Sequence, residues 1–309
     1  MMEVKGVLDL SRLGDDFIAG CDEELKDKCV ETMYQHLKLM KDLADELMTD
    51  YMTYIDKHVS KLFGMEVSTP ILYLAIAFHD LGKILPKHQR SLYQRCTAAG
   101  HEADSVKLLQ LIDLSSVVSP PGGEYLLKLI LSLSTLLHHH AMRSPKEVFN
   151  YLNRALKDLT NKYTIGPASI AHLLKKYLSG VVSEVFGIEL GVKEELLGLL
   201  LRRVEAPITA MTIFRHEPEI LMVLRGLRDD GLSKLYKASL AVLKPLMICD
   251  NIAAFINRKC LRINSIEEFI TNEELVSQLR PYVRDFIKWY LTTRTFSRDF
   301  KELINGGST

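Results

Sequence analysis

A histidine followed directly by an aspartate, His79-Asp80, closes the apolar run from Leu72 to Phe78. A carboxylate set in such a run is costly to bury unless a cation compensates it, and a metal ion is the simplest compensation. On a helix, Ile76, His79 and Asp80 share one face at i, i+3 and i+4, so the imidazole and the carboxylate can aim into one cavity. Gly82 reads as a helix stop that lets Lys83 turn back over that cavity. Four other places offer ligands of the same kind: His36, His101 at the head of Gly100-His101-Glu102-Ala103-Asp104-Ser105, the triplet His138-His139-His140, and Asp250. Taken singly, most have a plainer reading. His36 fits a surface or satisfied core histidine, His101 a helix-entry residue, and the triplet a cationic helix C-terminus that complements the dipole. Asp250 is different, because Leu246-Met247-Ile248-Cys249 precedes it and Ile252-Ala253-Ala254-Phe255 follows. A solvated position fits it poorly; it calls for a cation or several donors.

The elements that must position these groups are helical. Between turn signals almost every segment has helical rather than alternating periodicity, and β-branched runs of strand length are scarce. Helices are predicted over 23–63 (with a break), 70–81, 102–114, 124–140, 145–162, 167–186, 193–203, 217–228, 233–258 and 272–304. The fold class is all-α. At 309 residues and 47% apolar content the chain can fill a substantial core, and no linker forces a cut, so residues 1–309 read as a single domain with lobes. Within it, 145–228 can form a helical insertion and 264–309 a C-terminal helical extension.

Lys+Arg and Asp+Glu balance at 39 each, so nucleic acid or a charged surface must be met by a local patch rather than a global field. One such strip runs between Lys83 and Gly100, which contains no Asp or Glu. There Lys87, Arg90 and Arg95, with His88 and Tyr93 interleaved, can neutralise backbone phosphates and stack a base; a solvated surface is the equal alternative. The last helix, with Arg280, Arg284, Lys288, Trp289, Arg294, Arg298 and Lys301, reads as an amphipathic helix docked on the core. The five cysteines are odd in number, widely spaced and form no C-x-x-C, which argues against a disulfide framework and for a reducing, cytoplasmic location. The start lacks the apolar core of a signal peptide, and Tyr125 to Leu137, interrupted by Lys128, falls short of the roughly 18 residues of a membrane span. Neither G-x-x-x-x-G-K-[ST] nor G-x-G-x-x-G occurs, so any energy-driven step is expected of a partner.

The order His, His-Asp, His, His-His, Asp along the chain resembles that of the HD-domain metal-dependent phosphohydrolases. The string His79-Asp80-Leu81-Gly82-Lys83, the Gly100-His101-Glu102-x-x-Ser105 segment and the adjacent histidines are similar to the CRISPR-associated HD nuclease, which in many type I systems is a polypeptide separate from the helicase. The resemblance spans about residues 30–257. It implies an HD-type helical core with additional helices and two divalent cations. One would be held by His36, His79, Asp80 and Asp250. The other would be held by Asp80, His101, His139 and His140, with Asp80 bridging; His138 is the alternate within the triplet. Lys83 would sit near the scissile phosphate. A histidine-rich, thiol-free site suits Mn, Fe, Co, Ni or Zn better than Mg.

The activity so implied is hydrolysis of phosphodiester bonds in single-stranded nucleic acid, DNA foremost, in CRISPR interference and antiviral defence. Water is the nucleophile. A separate helicase subunit would supply the strand and a surveillance complex would select it. Two other readings stay open: a nucleotide or cyclic-nucleotide phosphohydrolase with the same metals, and a metal-free helical subunit of a larger complex. Both enzyme readings require side chains from residue 36 to residue 250 to converge in space.

Overall fold

A computed structural model describes residues 17–22, 29–120, 122–139, 166–197 and 230–305. Its elements follow in order. Strands β1 (Ile18–Cys21) and β2 (Val30–Thr32) pair antiparallel; helices α1 (Met33–Leu47), α2 (Thr49–Phe63) and α3 (Ile71–Phe78) follow, then a 3-10 turn over Leu81–Ile84, α4 (Pro86–Arg95), α5 (His101–Leu109) and α6 (Gly123–Leu137). Further on come α7 (Pro167–Tyr177), extended by a π-helical turn, the long α8 (Asp230–Arg258), the short α9 (Ile266–Thr271) and α10 (Glu273–Ser277), and α11 (Pro281–Asn305). The remaining strands are two-residue ladders: Glu66–Val67 with Val118–Ser119, and Ile112–Asp113 with Gly191–Val192. The molecule is all-α in class, as its periodicity predicts. The predicted helices over 145–162 and 217–228, and most of that over 193–203, lie outside the described residues.

Local chemistry explains where the helices depart from prediction. The helix predicted from residue 23 begins at Met33, because Thr32 and Gln35 form a capping box that bonds each other's backbone N–H groups. It breaks at Met48, and α2 ends on Gly64 in the left-handed region. The last predicted helix splits in two, because Asn272 caps α10 and Pro281 begins α11; Ser265 caps α9, a short helix before it that periodicity did not predict.

At the centre lies α3, whose Ile71, Leu72, Leu74, Ala75, Ile76, Ala77 and Phe78 are all at most 1% exposed. A helix apolar on nearly every face must be enclosed, and each large side chain so buried contributes about 2 kcal/mol. The carboxylate of Asp56 in α2 accepts from Ile71 N at its start, and the Tyr177 hydroxyl donates to Ala77 O near its end. Helix α8 crosses α1, α3 and α6. Its Ser233–Arg258 segment has the length and apolarity of a membrane span, yet 67% of its apolar 18-residue stretch is buried inside the protein, which accounts for the hydropathy. In α11, Val283 and Ile287 are buried while Trp289 is exposed, as expected of a docked amphipathic helix.

Two sequence readings are corrected. Gly82 does not stop a helix: α3 has already ended at Phe78, and Gly82 lies inside the 3-10 turn. Its missing side chain is needed for close approach, since a Cβ would lie 2.1 Å from the His101 carbonyl oxygen and 2.7 Å from Ser105 N. The cysteines are not a free set. Cys21 pairs with Cys96 and Cys29 with Cys260, leaving Cys249 as the free, buried thiol. The separations of 75 and 231 residues carried no sign of this, because it is the packing of the paired strands against the ends of α4 and α8 that brings the partners together. Cysteine spacing therefore gives no support to a reducing compartment.

Replacing Gly82 by alanine forces α5 away from the 3-10 turn. The expected cost is about 3 kcal/mol, the upper end of overpacking penalties, read from the denaturant midpoint. An unchanged midpoint would show that this contact does not set the spacing of the two segments.

Candidate metal centre

Six of the seven proposed ligands are described, and they converge; His140 lies outside the described residues. His36 is in the first turn of α1, His79 and Asp80 follow α3, His101 opens α5, His139 follows α6, and Asp250 sits eight residues before the end of α8. His138, the alternate in the triplet, is also in the cluster and is fully buried, with 1% exposure. The groups form two nests: Asp80, His101, His138 and His139 in one, His36, His79 and Asp250 in the other, with the ligand atoms of each nest within 4.8 Å of one another.

Asp80 stands between the nests. Its Oδ1 is 2.8 Å from His101 Nε2 and 3.9 Å from His138 Nε2; its Oδ2 is 3.4 Å from His79 Nε2 and 3.8 Å from His36 Nε2. Asp250 Oδ1 completes the second nest, 3.4 Å from His36 Nε2 and 3.9 Å from His79 Nε2. His79 and Asp80 reach this position past the end of α3, His79 with helical backbone angles and Asp80 turned to φ −106°, ψ 7°. They are not a helical i+3/i+4 stripe.

The orientation of the imidazoles is the decisive detail. Four of them engage an acceptor through Nδ1: His79 the carbonyl of Ile76 at 2.8 Å, His101 that of Ala98 at 2.6 Å, His138 that of Thr135 at 2.6 Å, and His36 the carboxylate of Glu31 at 2.6 Å. An Nδ1–H so donated leaves Nε2 of a neutral ring as a lone pair aimed inward; on His36, which stays protonated up to about pH 9, Nε2 carries the proton that a cation would displace. These four Nε2 atoms are buried, have no hydrogen-bond partner, and face two carboxylates. Buried lone pairs left unmatched are expensive, and divalent cations satisfy all of them at once. The donor set therefore fits metal.

The electrostatics agree. Burial alone would raise Asp80, but His79, Lys83 and His101 outweigh it and hold the carboxyl well below its usual range. Burial likewise opposes Asp250, which His36 and His79 nevertheless keep ionised. His36 is pushed down by burial, but Glu31 and Asp250 lift it to about 9. His138 is driven to about 4 by burial and the neighbouring His79.

Lys83 is buried, and its Nζ lies 2.5 Å from Asp80 Oδ2. It neutralises the central carboxylate instead of lying free above the cavity. On α4, Lys87 pairs with Asp104 at 2.5 Å, and Arg90 and Arg95 are exposed, Arg95 donating to Ser91 Oγ. His88, expected in the same strip, is buried and 2.8 Å from Asp104 Oδ2, so it is not available for stacking; Tyr93 is exposed. Glu31 was missed by the sequence reading. Its only signal was an acidic residue just before the α1 cap, which many helices share.

No protein-family profile and no curated protein matches the chain. Among solved structures, the CRISPR-associated Cas3 HD domain protein from Methanocaldococcus jannaschii is similar, at 16% identity and a TM-score of 0.39, over 70% of this chain and 95% of that one.

The raised His36 gives a signed pH dependence. In the metal-free protein its proton contributes stability in full below pH 6.5, and that contribution is lost as pH rises through about 9. A cation entering the His36 nest displaces the proton, so affinity there should rise about tenfold per pH unit between pH 7 and 9 and then level off. Scanning calorimetry of the metal-free protein and Mn²⁺ titrations across this range test both signs. A Mn²⁺ affinity independent of pH would contradict the assignment of His36 as a ligand.

Proposed function

We propose that this chain is a metal-dependent phosphohydrolase of the HD type that cuts phosphodiester bonds in single-stranded nucleic acid, DNA foremost. The observation that carries the reading is the set of four buried, unpaired Nε2 atoms arranged around Asp80 and Asp250. Two nests sharing one carboxylate suit a pair of divalent cations, with Mn, Fe, Co, Ni or Zn favoured by the imidazoles over Mg. Such a pair lowers the pKa of water and stabilises the charge that develops on a phosphoryl group during in-line displacement.

The protein's own groups supply the rest. Asp80 spans the nests and fixes their separation. Lys83, held to Asp80 here, would be released toward a phosphate oxygen if cations filled the nests, since added positive charge would repel the ammonium. Arg90 and Arg95, exposed on α4 near the turn that carries Lys83, offer charge to flanking phosphates; Lys87 must first leave Asp104. Within CRISPR interference, the role the sequence motifs imply, a separate helicase subunit would deliver the strand and a surveillance complex would choose it.

The purified chain, incubated with labelled single-stranded DNA, RNA and a panel of nucleotides in Mn²⁺, tests the substrate. Cleavage of the strands is expected, with Asp80→Ala abolishing it while the helical circular dichroism persists. Turnover of nucleotides alone would shift the assignment to a nucleotide phosphohydrolase, and no hydrolysis together with no bound metal would leave a helical subunit. Lys83→Ala should slow cleavage about 100-fold, the scale of losing one electrostatic contact in the transition state, without weakening Mn²⁺ binding. Equal losses in both would make Lys83 a structural residue.

A further inference from the structure

Three of the four oriented histidines use a backbone carbonyl three residues earlier, and one does not. His36 engages a carboxylate, Glu31 Oε1, carried by β2 outside its own helix. Glu31 is wholly buried and fully occupied: Asn257 Nδ2 donates to Oε1 at 3.0 Å and Arg258 Nε to Oε2 at 2.9 Å. Both donors belong to the last turn of α8, the helix that also brings Asp250. A relay thus runs from the end of α8 through Glu31 to His36, and α8 contacts the same nest a second time through Asp250.

The surroundings of this relay are specific. Glu31 pairs across the hairpin with Gly20, and a Cβ at Gly20 would lie 2.5 Å from Arg258 Nε, so the glycine makes room for the guanidinium. Cys29 lies two positions before Glu31, and Cys260 two positions after Arg258. Their disulfide fastens the strand bearing Glu31 to the helix end bearing its donors. The second disulfide, Cys21–Cys96, fastens the other strand of the hairpin to the end of α4.

We infer that Glu31 is the positioning residue that fixes His36 as a metal ligand, and that the Cys29–Cys260 disulfide sets how firmly it does so; this rests on the metal-centre reading above. A carboxylate on Nδ1 locks the tautomer and raises the basicity of Nε2, and loss of such a partner typically weakens metal binding 10–100-fold. Opening the disulfide removes the covalent clamp without touching a ligand. A dithiol reductant supplies the two electrons: the S–S bond breaks, each cysteine takes a proton, and the reductant closes into its own disulfide. The consequence is a nest whose affinity follows the state of Cys29–Cys260, beside a second nest, organised by Ala98 and Thr135 carbonyls, that does not.

Calorimetric titration with Mn²⁺ at fixed pH tests this. His36→Ala identifies the binding event of the His36 nest, and His101→Ala that of the other. Glu31→Ala should weaken the His36 event about 10–100-fold and leave the other within about 3-fold. Glu31→Gln, which keeps the volume and an oxygen for the Nδ1–H, should fall between Glu31→Ala and wild type and serves as the readout if Glu31→Ala does not fold. The pair Cys29→Ser and Cys260→Ser, which leaves Cys21–Cys96 closed, should weaken the same event at least 3-fold and add nothing in the Glu31→Ala background. Wild-type constants in the Glu31 variants, or equal weakening of both events, would overturn the inference. Wild-type protein that binds no Mn²⁺ would instead overturn the metal centre, and the inference with it.

Discussion

The structure turns on one carboxylate. Asp80 is fully buried, and an ionised group taken out of water costs several kcal/mol unless its surroundings replace the lost hydration. Here each oxygen has its own set of neighbours, His101 and His138 on one side, His36, His79 and Lys83 on the other. Those neighbours come from five segments, so the position of Asp80 is settled only when α1, α3, the 3-10 turn, α5 and α6 have all packed. The apolar bulk of α3 holds that packing in place, and the charge it carries to its end specifies what must gather there.

How the histidines are aimed follows from the ends of helices. The last carbonyls of a helix have no intrahelical donor. His79 and His138 lie just beyond α3 and α6, where such carbonyls, those of Ile76 and Thr135, stand three residues back. One hydrogen bond then satisfies the orphaned carbonyl and fixes the tautomer, directing Nε2 inward with no second side chain required. His101 uses the same spacing at the start of α5, with Ala98 in the preceding turn. Gly82 allows α5 to approach closely enough for this to matter, its N–H donating to Ser105 Oγ, which in turn donates to the His101 carbonyl.

The helical class and most of the clustered residues were legible in the sequence, because a charged residue inside an apolar run has few physical explanations. Asp250 within the run from Leu246 to Phe255 and Asp80 after Phe78 declared themselves this way. What could not be read depended on tertiary approach. Glu31 is five residues from His36 and its donors are more than two hundred away, so nothing local marks it. The disulfides escaped for the same reason, and His88 looked like part of a basic strip until Asp104, on the next helix, was seen to claim it. Within the triplet, periodicity could not say that His138 turns fully inward.

The centre is also compensated from within. Lys83 occupies the side of Asp80 that faces the His36 nest, Arg258 balances Glu31, and the proton on His36, held to about pH 9, lies between Glu31 and Asp250. Three cations thus face Asp80, Glu31 and Asp250, so part of the charge is matched with no ion bound, while the buried Glu102, 3.6 Å from His101 Nδ1, adds a further carboxylate beside the other nest. Divalent cations entering the nests would displace a proton and repel an ammonium already in place, exchanging for charge the site already holds. A centre so filled would attract anions more strongly than the metal-free cluster does.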